Sequence, residues 1–180
     1  FQCSGLGTNG NCPPLRGARS GRSRQRLAAD RAGPDRHDLQ TIRASFEHIP
    51  LAPSQRARIQ QKFEQPVIYA DADPIILRLA IRNLLENALK YSPSDTPILF
   101  EIVTDEKKLA LVIRVTNTLN DPSTLSADIF ERNKRGVGSL HEGSGLGLYI
   151  VREVAELHKG EASYHLVSGH QVAFELSIPA

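Results

Sequence analysis

The strongest constraint on the fold of this chain is a helix bracketed by its own punctuation, opening at Asp73-Pro74 and closing before Pro93. An Asp carboxylate accepts the free amide hydrogens of a first helical turn, and proline is tolerated at the first helical position. Pro93 cannot continue a helix, so the element ends near Tyr91. Between these limits Ile75, Ile76, Leu79, Leu84, Leu85 and Ala88 form an apolar stripe at helical spacing, which asks for a second layer to cover it.

The flanking segments supply that layer. Strands are predicted near Ile98–Thr104 and Leu109–Thr116, joined by the polar turn Asp105-Glu106-Lys107-Lys108, and the alternation of Leu111, Ile113 and Val115 puts one face on a core. From Asn117 to Glu142 periodicity fails; a loop of this length is functional or mobile, with one helical turn expected at Ser126–Arg132. After Gly145 the positions Leu146, Leu148, Ile150, Val151, Val154, Ala155 and Leu157 recur as on a buried helix face, ended by His158-Lys159-Gly160. Two further strands, Glu161–Leu166 and Gln171–Ile178, meet through Val167-Ser168-Gly169-His170. Upstream, Leu39, Ile42, Ala44 and Phe46 suggest a short amphipathic segment interrupted by Pro50 and Pro53. Residues 54–65 read as an exposed helical turn or an edge element, and Val67-Ile68-Tyr69-Ala70 as a short strand. The expected class is α/β, in one folded domain.

Charge divides the chain. Its 180 residues carry a net +2, yet residues 1–36 hold seven of the 22 cations and only two of the 20 acids. Residues 1–36 are therefore expected to be a basic tail, disordered or non-native, and 37–63 a linker. The arginines between Arg16 and Arg26 suit phosphate neutralisation, but no aromatic side chain stands among them for base stacking, so nucleic acid is not the expected partner. Cys3 and Cys12, the only two cysteines, are too few for a four-ligand zinc site and fit a local disulfide or spare thiols. No apolar run is long enough to span a bilayer. A chain that begins at Phe1 and contains no methionine is expected to be part of something longer.

Two motifs carry chemistry. On a helix Asn83 and Asn87 share a face and Lys90 lies on the adjoining turn. An Asn carbonyl can ligate Mg²⁺, a Lys can neutralise a phosphate, and Tyr91 offers a ring to a ribose or base. Such a face is also an ordinary polar helix surface, and both readings stand on these residues alone. Gly143-Ser144-Gly145-Leu146-Gly147-Leu148 then precedes a helix, where glycines allow close backbone approach and amide hydrogens favour phosphate oxygens. It is not a Walker loop, because no Gly-Lys-Ser/Thr follows.

The two motifs in this order closely resemble the catalytic and ATP-binding domain of sensor histidine kinases, in the superfamily that includes gyrase, heat-shock protein 90 and mismatch-repair ATPases. Asn83-Leu84-Leu85-Glu86-Asn87-Ala88-Leu89-Lys90-Tyr91-Ser92 is similar to that family's asparagine box, and Gly143-Ser144-Gly145-Leu146-Gly147-Leu148-Tyr149-Ile150-Val151 to its distal glycine box. The likeness covers residues 64–180. It implies a two-layer α/β sandwich of the Bergerat type, a mixed sheet with helices on one face, and ATP held beneath a mobile lid. By position, Asn87 would be the Mg²⁺ ligand, with Asn83 near the phosphates and Lys90 a phosphate contact. Tyr91 would flank the nucleoside, and Gly143, Ser144, Gly145, Leu146, Gly147 and Leu148 would line the phosphates. Phe130-Glu131-Arg132 resembles the phenylalanine box, and Arg135 stands where relatives place a phosphate-binding arginine.

The hydrolytic branches carry a Glu four residues before the metal-binding Asn, where it activates water; here Asn83 stands in that place, and an amide is no base. Glu86 lies about 100° around the helix from Asn87 and is badly placed as a substitute. Phosphoryl transfer is therefore expected rather than hydrolysis. The family's adenine motif, Asp-x-Gly-x-Gly, is replaced by Asn117-Thr118-Leu119-Asn120-Asp121, in which Asn117 can still accept from the exocyclic amine. His37-Asp38-Leu39-Gln40-Thr41 superficially resembles a phosphoacceptor box but lacks its proline, and the 46 residues to Asn83 leave no room for two long dimerisation helices. The implied partners are therefore ATP, a separate dimerisation and phosphoacceptor domain, and a response regulator. The implied location is a cytoplasmic domain of an inner-membrane protein that does not itself touch the membrane. A degenerate, non-catalytic module of the same fold is the alternative.

Overall fold

The punctuated helix forms where its caps place it: the Asp73 carboxylate accepts from the Ile75 and Ile76 amides at 2.8 and 3.3 Å, and the helix runs Pro74–Tyr91. The computed structural model describes residues 36–37, 39–63, 70–133 and 145–179. Along them the order is β1 (Arg36–His37), α1 (Leu39–Glu47), α2 (Pro53–Ala57), β2 (Ile59–Phe63), β3 (Ala70–Asp71), α3 (Pro74–Tyr91), β4 (Ile98–Asp105), β5 (Ala110–Thr118), α4 (Gly147–Leu157), β6 (Glu161–Ser168) and β7 (Gln171–Pro179). A single 3₁₀ turn, Pro122–Thr124, interrupts the segment after β5.

Five strands form one sheet in the order β2-β4-β5-β7-β6; β2 runs parallel to β4 and every other pair is antiparallel. The sheet is therefore mixed, as expected. β1 and β3 form a separate ribbon, with His37 opposite Ala70. Period-two alternation sorts the two faces of the large sheet. Phe100, Val115, Phe174 and Tyr164 lie opposite one another in a single row across β4, β5, β7 and β6. The first three are buried and belong to the core that α3 and α4 cover through Leu77, Ile81, Leu84, Leu85, Val151 and Ala155.

The neighbouring row, Lys62, Glu101, Arg114 and Glu175, projects from the other face. Glu101, 6% exposed, is held by Lys62 at 3.3 Å and Arg114 at 3.7 Å, and Arg114 Nε reaches Glu175 at 2.5 Å. Burying a carboxylate on this otherwise polar surface is tolerable because cations flank it on both sides.

Three expectations change in detail. The buried stripe of α3 is Leu77, Ala80, Ile81, Leu84, Leu85 and Ala88, whereas Ile75 and Leu79 are exposed at 72% and 45%. Counting back from Leu84 by 3.6 residues per turn reaches Ile81 and Leu77, so Ile75 and Leu79 fall off the face. Within residues 37–63, read as linker, Ile42, Phe46, Ile49 and Ile59 are core, β2 is an edge strand, and Phe46 stacks on Phe100 at 4.9 Å. Pro50 and Pro53 break the apolar pattern there into pieces too short for periodicity to announce a partner. The turn expected at 126–132 is non-helical, with Ile129 and Phe130 buried and Phe130 edge-on to Phe174 at 6.3 Å. Of the strand expected at 67–70, Val67, Ile68 and Tyr69 lie outside the described residues.

Candidate functional site

α3 and α4 are clamped at both ends of their contact. At one end the Asp73 amide donates to His158 Nε2 at 3.1 Å, while His158 Nδ1 donates to the Val154 carbonyl at 2.7 Å. An imidazole that accepts on Nε2 must carry its proton on Nδ1, so the two bonds together fix the neutral tautomer. At the other end Gly147 opens α4 beside Asn83. Asn83 Nδ2 donates to the Leu79 carbonyl at 2.8 Å, and a Cβ at position 147 would lie 3.3 Å from Asn83 Oδ1. Gly145, two residues earlier, has φ +66°, a left-handed conformation that favours glycine. The asparagine helix and the glycine turn, far apart in sequence, meet at this junction.

Asn87 lies one turn beyond Asn83, about 6 Å along the axis, on the same half-buried face. Lys90 Nζ stands 5.0 Å from the centroid of the Tyr91 ring, a cation–π contact that joins the two side chains near the end of α3. Glu86 points elsewhere. It is exposed and bonded to Arg82 Nε at 2.6 Å, which removes it from the asparagine face.

Asn117, near the end of β5, is 2% exposed. Its Nδ2 donates to Ser92 Oγ at 3.0 Å and lies 3.4 Å from the Thr118 carbonyl, while Oδ1 is buried without a hydrogen-bond partner among the described residues. Ser92 caps α3: its amide and its hydroxyl both donate to the Ala88 carbonyl, at 3.1 and 2.6 Å. An unpaired buried carbonyl costs roughly 1–3 kcal/mol, and a ligand amine is the kind of group that would satisfy it.

Of the residues expected in a site, Asn83, Asn87, Lys90, Tyr91, Asn117, Gly145, Leu146, Gly147 and Leu148 fall among the described residues. Arg135, Gly143 and Ser144 lie outside them. Leu148 is buried in the core, so only its backbone can face a ligand. Ser92 and His158 had been assigned no role from sequence. Ser92 joins the site through its contact with Asn117, 25 residues away, and His158 through Asp73, 85 residues away. Among the described residues no three His, Cys, Asp or Glu side chains gather to hold a metal, and no helix is long and apolar enough to cross a membrane.

A helix carrying paired asparagines, a glycine turn packed against it and a buried acceptor at the end of β5 occur here together in a fold shared with ATPase domains. Residues 72–180 match the model of the histidine kinase-, DNA gyrase B-, and HSP90-like ATPases, and the chain belongs to that family. Within it the curated relatives are sensor kinases. Sensor histidine kinase HprS of Escherichia coli K12 is 39% identical over 111 residues, 60% of this chain and 24% of that protein. Probable sensor protein PcoS of Escherichia coli is 34% identical over 155 residues, 80% of this chain and 31% of that protein. The chain thus spans about a quarter to a third of the length of these relatives. Among solved structures, the mycobacterial sensor histidine kinase MprB superimposes with a TM-score of 0.62 at 22% identity, covering 80% of this chain and 97% of that one. Full-length ShkA in complex with AMPPNP gives 0.59 at 21% identity, covering 82% of this chain and 32% of that one. The two-layer α/β fold with an ATP-binding domain is thereby established, and nothing in these likenesses supports the non-catalytic alternative.

Proposed function

We propose that this chain is the catalytic part of a sensor histidine kinase, which moves the γ-phosphoryl group of ATP to a histidine on a separate dimerisation domain. The observation that carries the reading is the junction itself: an amide, Asn83, packs against Gly147 where a hydrolytic member would place a carboxylate. With no base on that face, water is not activated, and transfer rests on positioning and charge neutralisation.

Each residue then has a part. Asn117 Oδ1 accepts the adenine amine, Tyr91 flanks the nucleoside, and the backbone at Gly143, Ser144, Gly145, Leu146, Gly147 and Leu148 cradles the phosphates. Lys90 and Arg135 neutralise phosphate charge. Asn87 would hold Mg²⁺, which supplies charge neutralisation at the phosphoryl oxygens; a single amide ligand suits a cation that takes most of its shell from water and substrate phosphates. The likeness to a structure solved with AMPPNP supports ATP as the nucleotide. A response regulator is the onward acceptor, and the parent is membrane-linked with this domain in the cytoplasm. We further assign 64–180 to the ATP-binding domain proper, 37–63 to a leading segment that packs on it, and 1–36 to a basic tail.

Calorimetry with Mg·ATP, comparing the chain with Asn87→Ala, tests the site: binding is expected in the micromolar range and is lost in the variant. γ-Labelled ATP with a supplied phosphoacceptor domain tests the reaction. Label on the acceptor histidine is expected, whereas release of phosphate to water alone would sink the kinase reading in favour of an ATPase.

A further inference from the structure

The buried amide of Asn117 is held on one side only, and the groups that hold it determine which way it faces. Its Nδ2 lies between two acceptors, Ser92 Oγ at 3.0 Å and the Thr118 carbonyl at 3.4 Å. Ser92 is an acceptor here because its own proton is committed to the Ala88 carbonyl at 2.6 Å. A turned amide would set Oδ1 against the Thr118 carbonyl, which has no proton to offer, and would pull the Ser92 proton off the end of α3. The amide therefore keeps Nδ2 inward, leaving Oδ1 buried and without a hydrogen-bond partner among the described residues.

We propose that Ser92 is a positioning residue for purine selectivity: by locking the Asn117 amide with Oδ1 toward the ligand, it makes the site accept a 6-amino purine and reject a 6-oxo purine. The proposal rests on reading this site as a nucleotide site. An amine at position 6 donates to Oδ1, whereas a 6-oxo group sets one lone pair against another. The chemistry is specific to an amide. A carboxylate at position 117 would present an oxygen in either orientation and would need no lock, whereas an asparagine is ambiguous until a neighbour orders it. Without Ser92, Nδ2 retains only the longer Thr118 contact, and the amide can turn to donate to a 6-oxo group.

The test is the ratio of Mg·ATP to Mg·ITP affinity, since the two nucleotides differ only at position 6 of the purine and in the proton on N1. Ser92→Ala is expected to lower the ratio roughly tenfold, about the worth of one net hydrogen bond. Ser92→Thr, which keeps the hydroxyl, restores it. In an Asn117→Asp background the same Ser92→Ala change moves the ratio by less than about twofold, the coupling expected of two residues that act through one contact. Ser92→Cys, of similar size with a weak thiol acceptor, gives a second loss-of-lock variant should the alanine variant melt too low to assay. A ratio that stays within about twofold of the parent's in the loss-of-lock variant, while ATP still binds, overturns the role of Ser92 and leaves the nucleotide site standing. A parent chain that binds neither triphosphate overturns both.

Discussion

Gly160 follows the last turn of α4, at the point where the helix hands the chain to β6, and replacing it with alanine tests the packing of both layers at once. A Cβ at that position would lie 1.9 Å from the Ser177 carbonyl oxygen, 2.9 Å from the Ser177 carbonyl carbon and 3.2 Å from Ile178 Cα. All three are backbone atoms of β7, and Ser177 is paired on both sides, with Val112 of β5 and Glu161 of β6. Reaching even 3.0 Å requires more than an ångström of movement. If β7 yields, it loses register with two neighbours. If the turn yields, it loses the bond from the Gly160 amide to the Ala155 carbonyl at 2.8 Å and loosens the left-handed Lys159, whose φ is +57°. Overpacking costs about 1–3 kcal/mol and each displaced backbone bond about 1 kcal/mol, so the expected loss is roughly 3–5 kcal/mol. For a domain of this size that lowers the melting temperature by about 6–20 °C. Urea unfolding followed by circular dichroism reads it as a lower midpoint at unchanged slope. Lys159→Gly is the control: relief of the left-handed penalty, offset by added freedom in the unfolded chain, leaves it neutral to about 1 kcal/mol more stable. A Gly160→Ala variant within about 0.5 kcal/mol of the parent would refute the close approach of the helix exit to β7.

Three further outcomes are expected. Gly147→Ala leaves stability within about 1 kcal/mol, because its methyl meets only the movable Asn83 amide at 3.3 Å, yet weakens Mg·ATP binding at least about tenfold by closing the backbone approach; calorimetry and a thermal melt on the same sample separate the two effects. Arg114→Leu costs about 2–4 kcal/mol in urea unfolding, since Glu101 stays buried with Lys62 as its remaining charged partner in the row; Glu101→Gln on top of it recovers part of the loss. The hydroxyl and then the amide of Ser123 hold the Asp121 carboxyl below the ordinary Asp range. Its contribution to the 122–124 turn is present above the unfolded value and is lost as pH falls through the depressed folded one. Carboxyl NMR titration should therefore find a low midpoint that rises in Ser123→Ala, and an unchanged midpoint would show that the hydroxyl does not hold it.

Much of this molecule was readable along the chain because its signals are local. Asp73 and Pro74 fix the start of α3 through bonds that reach only two and three residues ahead. The alternation of Leu111, Ile113 and Val115 placed β5 because a strand exposes its two faces at period two. The paired asparagines and the glycine turn were visible as motifs, and their order along the chain pointed to the family. Elements whose support comes from elsewhere were harder to read. α1 showed an amphipathic pattern, but a pattern names no partner: that Phe46 stacks on Phe100 is a contact that exists only once β4 is in place. The stripe of α3 was misphased at Ile75 and Leu79 because every apolar residue was counted into it, whereas only those in phase with Leu84 and Ile81 reach the core.

By itself, then, the sequence determined the limits of α3, the two hairpins β4–β5 and β6–β7, the family and the positions of the paired amides, since capping, alternation and motif spacing act over a few residues. Tertiary structure alone decided which partners those amides have. It set Gly147 against Asn83, joined His158 to Asp73 across the two helices, and placed Ser92 against Asn117 Nδ2, so that Oδ1 has no partner among the described residues. A hydrogen bond reads distance and direction in space, and those are fixed only when helix and sheet close on a common core.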